Sequence, residues 1–356
     1  MKKNNFLKIY KNKKALITGS TGFKGSWLSF WLNNLGSNVI GAGLRPEKGA
    51  ILFKTLKIDK LIKQYYIDIT NFKKINDLIK KERPQIIFHL AAQSIVSESY
   101  KKPLETIQSN TLGSANILES TRINKIKHLV FITSDKCYLN TEKIGGYSEK
   151  DTLGGHDNYS SSKAAAEIIF NSYYQSYFKN KKIKHATARA GNVIGGGDMK
   201  KNRVIPDVIK SLHNDTPIIL RSPTATRPWQ HVLEPLYGYL KLGSYLMRNK
   251  LSHLNSPSWN FGPKKSNCIQ VVKIVKNIIK EWSKKDLKIK INKQNKFKET
   301  NLLSLKIDKA KKELKWQPKL SLKETLKLTV NWYYCYYQKK DMSKLTETQI
   351  KYYLKK

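Results

Sequence analysis

The chain has 356 residues, of which 40% are apolar, enough to bury a sizeable core and to exclude wholesale disorder. Lys and Arg number 67 against 26 Asp and Glu, a formal net charge of +41, yet only 8 of the cations are Arg. Proteins that read nucleic acids rely on Arg for bidentate contacts. We therefore interpret the scattered Lys as solvated surface, with a nucleic-acid or anionic-surface role as the alternative.

The three cysteines, Cys137, Cys268 and Cys335, are far apart and form neither a C-x-x-C pair nor a Cys/His cluster. We expect no metal site, no disulfide framework and a reducing compartment. The basic N-terminal segment lacks the apolar stretch of a signal peptide, and no run of about 18 apolar residues follows it. We therefore expect a cytoplasmic protein without a membrane span.

Short apolar strands alternate with helical patterns over the first half of the chain. Strands are predicted at 15–17, 39–40, 65–69, 86–90, 129–133 and 184–190, and helices at about 27–35, 72–81, 103–122 and 159–178. This alternation predicts right-handed βαβ crossovers, and hence an α/β fold with a doubly wound, Rossmann-like parallel sheet covered on both faces.

After residue 190 the alternation ends, and loops rich in Gly and Pro separate shorter elements. Helices are predicted at about 269–282, 306–314 and 321–337. We predict a doubly wound domain over 12–190 and a smaller, mixed α/β C-terminal domain over 191–340, part of which can return to the sheet. Residues 341–356 are predicted to be a basic C-terminal tail.

The first predicted strand runs into a glycine-rich turn, Thr18-Gly19-Ser20-Thr21-Gly22-Phe23-Lys24-Gly25, that opens a helix. Glycines let the backbone approach a pyrophosphate, and the helix N-terminus supplies N–H groups and a positive dipole end. The spacing is G-x-x-G-x-x-G rather than the usual dinucleotide fingerprint, so a plain strand-to-helix turn is the alternative. The candidate cofactor-binding residues in this turn are Gly19, Thr21, Gly22, Phe23 and Gly25.

Two further strand ends are candidates for cofactor contacts, with ordinary packing as the alternative for each. They are Asp68 and Ile69 after strand three, placed to meet an adenine, and Leu90, Ala91, Ala92 and Gln93 after strand four. Strand two ends without the carboxylate that binds an NAD ribose, and Arg45 nearby is compatible with a 2′-phosphate. These residues leave NAD and NADP open. Asn110, in the next helix, is expected to brace the active-site strand.

A catalytic set is predicted from two places in the chain. Tyr159 and Lys163 are four residues apart in a helix, which places both on one face. A nearby Lys⁺ and a nicotinamide cation lower a phenol's pKa, and a tyrosinate can take a proton from a sugar hydroxyl as hydride leaves the same carbon. Ser134, Asp135 and Lys136 follow a strand at its carboxyl end, where such folds carry their sites. Ser134 can hydrogen-bond the reacting hydroxyl, and the next two residues add an acid and a potential base.

Together these residues resemble the extended short-chain dehydrogenase/reductase family. Its motifs are Thr18-Gly19-x-x-Gly22-x-x-Gly25, Leu90-Ala91-Ala92-Gln93 and Tyr159-x-x-x-Lys163. Within this family, the stretches at 22–28, 133–138, 188–198 and 227–235 look like those of the CDP-glucose 4,6-dehydratase branch. The resemblance covers about residues 12–337.

This resemblance implies a lyase that holds NAD⁺ and converts CDP-D-glucose to CDP-4-dehydro-6-deoxy-D-glucose and water, a step of deoxysugar and polysaccharide biosynthesis. Tyr159, tuned by Lys163 and assisted by Ser134, would deprotonate the 4-hydroxyl as C4 is oxidised. Asp135 would protonate the departing 6-hydroxyl while a base at position 136 takes the C5 proton. Related dTDP-glucose dehydratases carry Glu after the Asp. Because Lys136 must be neutral to act as a base, stabilisation of the enolate is its alternative role.

By the same resemblance, Asn192, Arg203 and Arg227 are candidates for binding the substrate diphosphate, and Arg suits this task through its planar donor fork. By this resemblance, the helices at about 103–122 and 159–178 imply a homodimer or a dimer-based oligomer.

Two other enzyme activities are alternatives to the CDP-glucose dehydratase activity. A nucleotide-sugar 4-epimerase does not need the Asp135–Lys136 pair, and a GDP-mannose 4,6-dehydratase typically carries Glu after the acid. The alternative from another class is a non-catalytic, basic nucleic-acid-binding protein.

Overall fold

The computed structural model describes residues 2–47, 49–179, 184–248, 257–282, 288–292 and 302–356. Its strands are β1 (Lys14–Thr18), β2 (Asn38–Gly43), β3 (Lys63–Tyr66), β4 (Ile86–His89), β5 (His128–Ile132), β6 (Lys184–Ala190), β7 (Val193–Ile194), β8 (Ile218–Leu220), β9 (Thr226–Pro228), β10 (Gln230–His231), β11 (Ser258–Phe261), β12 (Cys268–Gln270) and β13 (Ile289–Ile291). Its α-helices are α1 (Phe23–Asn34), α2 (Ile51–Thr55), α3 (Ile58–Leu61), α4 (Phe72–Glu82), α5 (Val96–Lys101), α6 (Pro103–Ile107), α7 (Gly113–Ile123), α8 (Asn158–Tyr173), α9 (Val204–Asn214), α10 (Leu233–Met247), α11 (Val271–Trp282), α12 (Asp308–Leu314), α13 (Leu322–Tyr337) and α14 (Met342–Lys355). Segments of 3₁₀-helix occupy Lys2–Tyr10, Asp135–Cys137 and Lys265–Asn267, and π-helical turns occupy Gln108–Leu112 and Tyr174–Phe178.

Seven of the strands form one parallel sheet in the order β11-β6-β5-β4-β1-β2-β3. The strand order reverses between β1 and β4, and open α/β sheets bind their ligands at the carboxyl ends of the strands beside such a reversal. The doubly wound fold class is confirmed.

The central strands β1, β4 and β5 are largely apolar on both sides, as expected where helices cover both faces of a sheet. In β1, Ala15 and Ile17 face one apolar cluster and Leu16 faces the other. The first cluster includes Trp27 of α1 together with side chains of α10, and the second includes Phe170 of α8 together with side chains of α4 and α7.

The third strand lies earlier in the chain than predicted. The sequence predicts a strand at 65–69, whereas β3 ends at Tyr66, which pairs with Gly43. The Asp68 carboxylate accepts a hydrogen bond from the Thr70 backbone N–H at 2.9 Å, and this turn ends the extended conformation before α4. Asp68 and Ile69 therefore follow the strand rather than belong to it.

The second half of the chain contributes short strand pairs, namely β7 with β10, β9 with β12 and β8 with β13, together with α9 and α11. Helix α11 begins at Val271 rather than near 269, because residues 268–270 pair with β9. Strand β11 returns to the edge of the central sheet beside β6, as the sequence allows. The division of the chain at residue 190 stays a prediction.

Residues 341–356 form a docked helix rather than an extended tail. In α14, Met342, Ile350 and Tyr353 are buried, and Trp332 Nε1 of α13 donates a hydrogen bond to Thr346 Oγ1 at 3.1 Å. The Lys residues of α14 are exposed, which explains why composition alone suggested a solvated tail. Among the helices of the described ranges, none is long and apolar enough to cross a membrane.

Candidate active site

A cavity of about 940 Å³ lies at the carboxyl ends of the central strands, between the sheet and the second half of the chain. It brings together residues predicted from both halves, namely Phe23, Ser134, Asp135, Lys136, Tyr159, Asn192, Arg203 and Arg227. Within the described ranges, no group of three or more His, Cys, Asp or Glu is arranged to hold a metal ion.

The glycine-rich loop between β1 and α1 closes against the loop that follows β4. Gly19 has φ +74°, and a Cβ at this position would lie 2.8 Å from the Ala91 backbone nitrogen. A Cβ at Gly25 would lie 2.0 Å from the Gly19 carbonyl oxygen, so larger residues cannot fit either position. Gly22 is the N-cap of α1, and no side chain caps this first turn. The bare helix start is suited to an anionic group such as a pyrophosphate.

Of the candidate cofactor residues, Phe23 and Tyr159 line this cavity. The others lie outside its wall, namely Gly19, Thr21, Gly22, Gly25, Asp68, Ile69, Leu90, Ala91, Ala92, Gln93 and Lys163. Ile69 is buried beside α7, since a Cβ on Gly113 would lie 2.7 Å from its side chain, and the Ile69 carbonyl accepts a hydrogen bond from Asn116 Nδ2 at 2.9 Å. Asp68 is exposed. Their contact with an adenine stays a prediction.

Asn110 links the loop after β4 to the helix that carries Tyr159. Its Oδ1 accepts from the Gln93 backbone N–H at 2.8 Å, and its Nδ2 donates to the Gln93 carbonyl at 3.0 Å and to Ser162 Oγ at 2.9 Å. Ser162 Oγ donates in turn to the Tyr159 carbonyl at 2.7 Å. Asn110 lies in a π-helical turn, a feature often found at functional sites. It therefore braces α8 against the β4 loop, and Gln93 is an anchor of this brace.

Ser134 and Asp135 lie in the turn at the end of β5. Ser134 Oγ donates to Asp135 Oδ1 at 3.0 Å and accepts from the Lys136 backbone N–H at 3.3 Å. Asp135 is 3% exposed, and its Oδ2 has no hydrogen-bond partner among the described residues. Burial raises the pKa of Asp135, although the charges of Lys136 and Arg227 and the Ser134 hydroxyl oppose the rise. The environment therefore favours a protonated acid more than an exposed position would.

Tyr159 and Lys163 lie on α8, which Asp157 caps by accepting from the Ser160 backbone N–H at 2.9 Å. Lys163 Nζ lies 5.9 Å from the centroid of the Tyr159 ring. Burial raises the pKa of Tyr159 to about 12, and a hydrogen bond with Ser134 opposes this shift. Burial and the charge of Lys24 lower the pKa of Lys163 to about 7. The sequence predicts that Lys163 and a nicotinamide cation together lower the pKa of Tyr159, and this stays a prediction. Among the described residues, burial has the largest effect on this pKa.

Lys24 is a cavity residue that sequence reasoning left without a role. Its Nζ lies 5.9 Å from the centroid of the Tyr239 ring. Burial and the Arg203 charge lower the pKa of Lys24 to about 8, while the Asp135 charge opposes them. A lysine in the first turn of a helix opposes the helix dipole, and this was the available sequence signal.

Arg203 spans the cavity. Its Nη1 pairs with Asp198 Oδ2 at 2.7 Å, and its Nη2 donates to Ser94 Oγ at 2.9 Å. The Tyr333 hydroxyl of α13 donates to the Asp198 carbonyl at 2.5 Å and so holds this loop. Sequence reasoning missed Ser94, Asp198 and Tyr333, and Tyr333 carries no local signal because it lies far along the chain.

Arg227 and Asn192 also line the cavity. Arg227 is 9% exposed, and its Nη1 donates to the Thr226 carbonyl at 3.0 Å. The backbone carbonyl of Asn192 accepts from the Gln230 N–H at 3.2 Å, which fixes this segment of the wall. The two residues place a cation and an amide on the cavity surface.

The sheet order, the glycine loop and the paired Tyr and Lys of α8 define the extended short-chain dehydrogenase/reductase class. Within this class, the family model described as GDP-mannose 4,6 dehydratase matches residues 16–329, and the chain belongs to this family.

Individual relatives agree with this assignment. The chain is 38% identical over 352 residues to a CDP-glucose 4,6-dehydratase of Salmonella typhimurium, and the match covers 97% of each chain. The epimerase Mth375 from Methanothermobacter thermautotrophicus superposes with a TM-score of 0.80 at 24% identity, covering 94% of this chain and 96% of that one. The dTDP-glucose 4,6-dehydratase of Bacillus anthracis, solved in complex with NAD, superposes with a TM-score of 0.74 at 22% identity, covering 90% and 96%. The two solved structures establish the shared fold.

Proposed function

We propose that this chain is a nucleotide-sugar 4,6-dehydratase that converts CDP-D-glucose to CDP-4-dehydro-6-deoxy-D-glucose and water. The observation that carries the proposal is the buried Asp135 carboxyl group, which lies one residue from Ser134 and lines the same cavity as Tyr159. An epimerase needs only the hydroxyl and phenol groups for reversible oxidation at C4. A buried acid beside them suits the loss of water from C5 and C6. The similarity to the Salmonella enzyme supports CDP-glucose as the substrate.

NAD is the cofactor in this proposal, and the residues present fit it. The loop at Gly19 and Gly25 leaves room only for backbone, and the uncapped start of α1 favours a diphosphate. When bound, NAD⁺ would accept a hydride from C4 of the sugar and, in its reduced form, return it to C6. The residues proposed to hold it are Gly19, Thr21, Gly22, Phe23, Gly25, Asp68, Ile69, Leu90, Ala91, Ala92 and Gln93, together with Tyr159 and Lys163. The dTDP-glucose 4,6-dehydratase of Bacillus anthracis was solved in complex with NAD, which supports NAD over NADP.

In the oxidation step, Tyr159 takes the proton from the 4-hydroxyl. The Ser134 hydroxyl lies beside the phenol and can hydrogen-bond the same substrate oxygen as its charge develops. Lys163 faces the Tyr159 ring from the next turn of α8 and stabilises the tyrosinate whenever it is protonated.

In the elimination step, Asp135 donates a proton to the departing 6-hydroxyl. Hydroxide is a poor leaving group and needs a proton donor, and burial raises the pKa of Asp135, which favours the protonated form relative to an exposed carboxyl group. Lys136 lies next to this acid on the cavity wall. It takes the C5 proton or stabilises the enolate formed when this proton leaves.

Three further residues of the cavity wall are proposed to bind the nucleotide diphosphate. Asn192, Arg203 and Arg227 supply an amide and two guanidinium groups there, and a guanidinium group binds phosphate oxygens in bidentate fashion. Because Arg203 is already paired with Asp198, it is held in a fixed orientation before a ligand binds.

A homodimer and a cytoplasmic location complete the proposal. The helices α6, α7 and α8 and their π turns expose Leu104, Ile107, Leu112, Ile123 and Ile168, an apolar set that a second copy of the chain would cover. Cys137, Cys268 and Cys335 are free thiols, which supports a reducing compartment.

The proposal is tested by incubating the purified protein with NAD⁺ and one nucleotide sugar at a time. The four nucleotide sugars are CDP-glucose, dTDP-glucose, UDP-glucose and GDP-mannose. Mass spectrometry should find that the product formed from CDP-glucose is lighter than CDP-glucose by one water. This product should also carry an alkali-sensitive 4-keto chromophore. A product of unchanged mass but altered sugar configuration would identify an epimerase. Turnover of another nucleotide sugar alone would overturn the choice of base.

A further inference from the structure

A buried ion pair lies behind the catalytic turn and is not part of the chemistry described above. Arg189 Nη2 of β6 pairs with Glu167 Oε2 of α8 at 2.7 Å, and the two side chains are 3% and 1% exposed. Burying two charges costs more than burying apolar groups of the same volume, so such a pair rarely contributes net stability. The hydrogen bonds around this pair instead indicate a role in holding the neighbouring backbone in place.

Each end of the catalytic turn is tied to this pair. Thr133, directly before Ser134, donates its hydroxyl to Glu167 Oε1 at 2.5 Å. Tyr138, which lies two residues after Lys136, accepts a hydrogen bond at its hydroxyl from Arg189 Nη1 at 2.7 Å. The Tyr138 hydroxyl donates in turn to Asn260 Oδ1 at 2.8 Å. The turn that carries Ser134, Asp135 and Lys136 is thus held at both of its ends.

The same carboxylate also belongs to the helix of the catalytic base. Glu167 follows Lys163 by four residues and Tyr159 by eight, so all three lie along one face of α8. The carboxylate therefore connects the turn after β5 to the helix that carries Tyr159. Both Glu167 oxygens and both Arg189 Nη groups are paired, although Arg189 Nε has no hydrogen-bond partner among the described residues. These paired groups join the turn after β5, β6 and α8 through one buried carboxylate.

We infer that the Glu167–Arg189 pair is a positioning element that fixes the distance between the Ser134–Lys136 turn and Tyr159, with Thr133 and Tyr138 as its links to the turn. This inference rests on the proposed function. Catalysis by acid and base groups depends on their placement, and a displacement of about 1 Å can cost on the order of a hundredfold in rate.

Thr133→Val removes the hydroxyl that donates to Glu167 while keeping the side-chain shape. Thr133→Ser keeps this hydroxyl. The matched control is Thr187→Val, because Thr187 Oγ1 donates to Glu167 Oε2 at 3.0 Å but belongs to β6, where it pairs with Phe131 of β5 and is not part of the turn. We expect Thr133→Val to lower kcat by roughly ten- to a hundredfold with little change in KM. Thr133→Ser should recover most of kcat. Thr187→Val should lower the melting temperature by a comparable amount while keeping kcat within about twofold of wild type.

An active wild type whose kcat is unchanged by Thr133→Val, or changed equally by Thr187→Val, would overturn the inference and leave the proposed function standing. A wild type that does not dehydrate CDP-glucose would instead refute the proposed function. If Thr133→Val does not fold, Tyr138→Phe tests the other link, since it removes only the hydroxyl that accepts from Arg189. A wild-type kcat in Tyr138→Phe would then overturn the inference.

Discussion

Gly191 and Asp135 are in direct contact, because a Cβ placed on Gly191 would lie 2.6 Å from Asp135 Oδ2. This oxygen has no hydrogen-bond partner among the described residues. The Asp135 carboxyl group therefore packs against a residue that has no side chain. Any larger residue at position 191 must displace this carboxyl group.

Gly191→Ala should accordingly lower kcat by roughly tenfold or more, since the added methyl moves the acid away from its working position. The control is Gly49→Ala, where the nearest atom to an added Cβ is 3.7 Å away, an ordinary contact. Steady-state kinetics with CDP-glucose measures both variants. Equal rates in Gly191→Ala and wild type would show that the position of the carboxyl group does not limit the reaction.

Asp135→Asn separates the two chemical steps, because Asn keeps the size and hydrogen-bonding capacity but has no proton to transfer. Oxidation at C4 should still occur, so absorbance of reduced nicotinamide should appear and persist while product formation stalls. Tyr159→Phe should lose both signals, by a factor of order 10² or more. Loss of nicotinamide reduction in Asp135→Asn to the same extent would move Asp135 into the oxidation step.

Arg203→Met tests the proposed diphosphate site. The guanidinium group pairs with Asp198 and donates to Ser94, and the variant removes the cation proposed to bind the diphosphate. Hydrogen bonds to charged groups are worth about 1.5–3 kcal/mol, so KM for CDP-glucose should rise by roughly ten- to a hundredfold with a smaller change in kcat. Isothermal titration with CDP provides the independent measurement. Unaltered CDP affinity would exclude Arg203 from the diphosphate site.

Glu234 makes stability depend on pH. It is 1% exposed, and burial raises its pKa to about 6, although hydrogen bonds from Leu320, Tyr353 and Lys319 oppose the rise. A carboxyl group whose folded-state pKa is raised stabilises the fold below its unfolded pKa and loses this contribution as pH rises through the folded value. The free energy of unfolding should therefore fall by about 2 kcal/mol in total through this group as pH rises from well below 4.5 to well above 6. Glu234→Gln should flatten this slope in urea titrations, and an unchanged slope would contradict the assignment.

Much of the fold could be predicted from local pattern. The strands of the sheet are short apolar runs between Gly- and Lys-rich turns, and Ser321 with Glu324 forms the capping box that starts α13. The position of β3 could not be predicted, because the Asp68 turn that ends it depends on a side-chain hydrogen bond. The docking of α14 could not be predicted either, since the partners of its buried face are set only by tertiary packing.

Some residues of the candidate site could likewise be predicted from local sequence pattern, and others could not. The glycine loop, the Ser134–Lys136 turn and the Tyr159–Lys163 pair carry local spacing signals, and the structure places the turn and Tyr159 in one cavity. Tyr333, Asp198 and Ser94 meet Arg203 only through the tertiary fold. The pKa of Tyr159 likewise depends on burial, which the spacing of Tyr and Lys in the sequence does not report.

The central claim is that oxidation at C4 and reduction at C6 occur on one sugar in one cavity, with Tyr159 and Asp135 serving the two halves of the reaction. CDP-glucose carrying deuterium at C4 tests this most directly. Mass spectrometry and NMR of the product should find the deuterium at C6, with one water lost and no net release of reduced cofactor. Deuterium retained at C4, as in an epimerase, or lost to released cofactor, as in a simple dehydrogenase, would contradict the account.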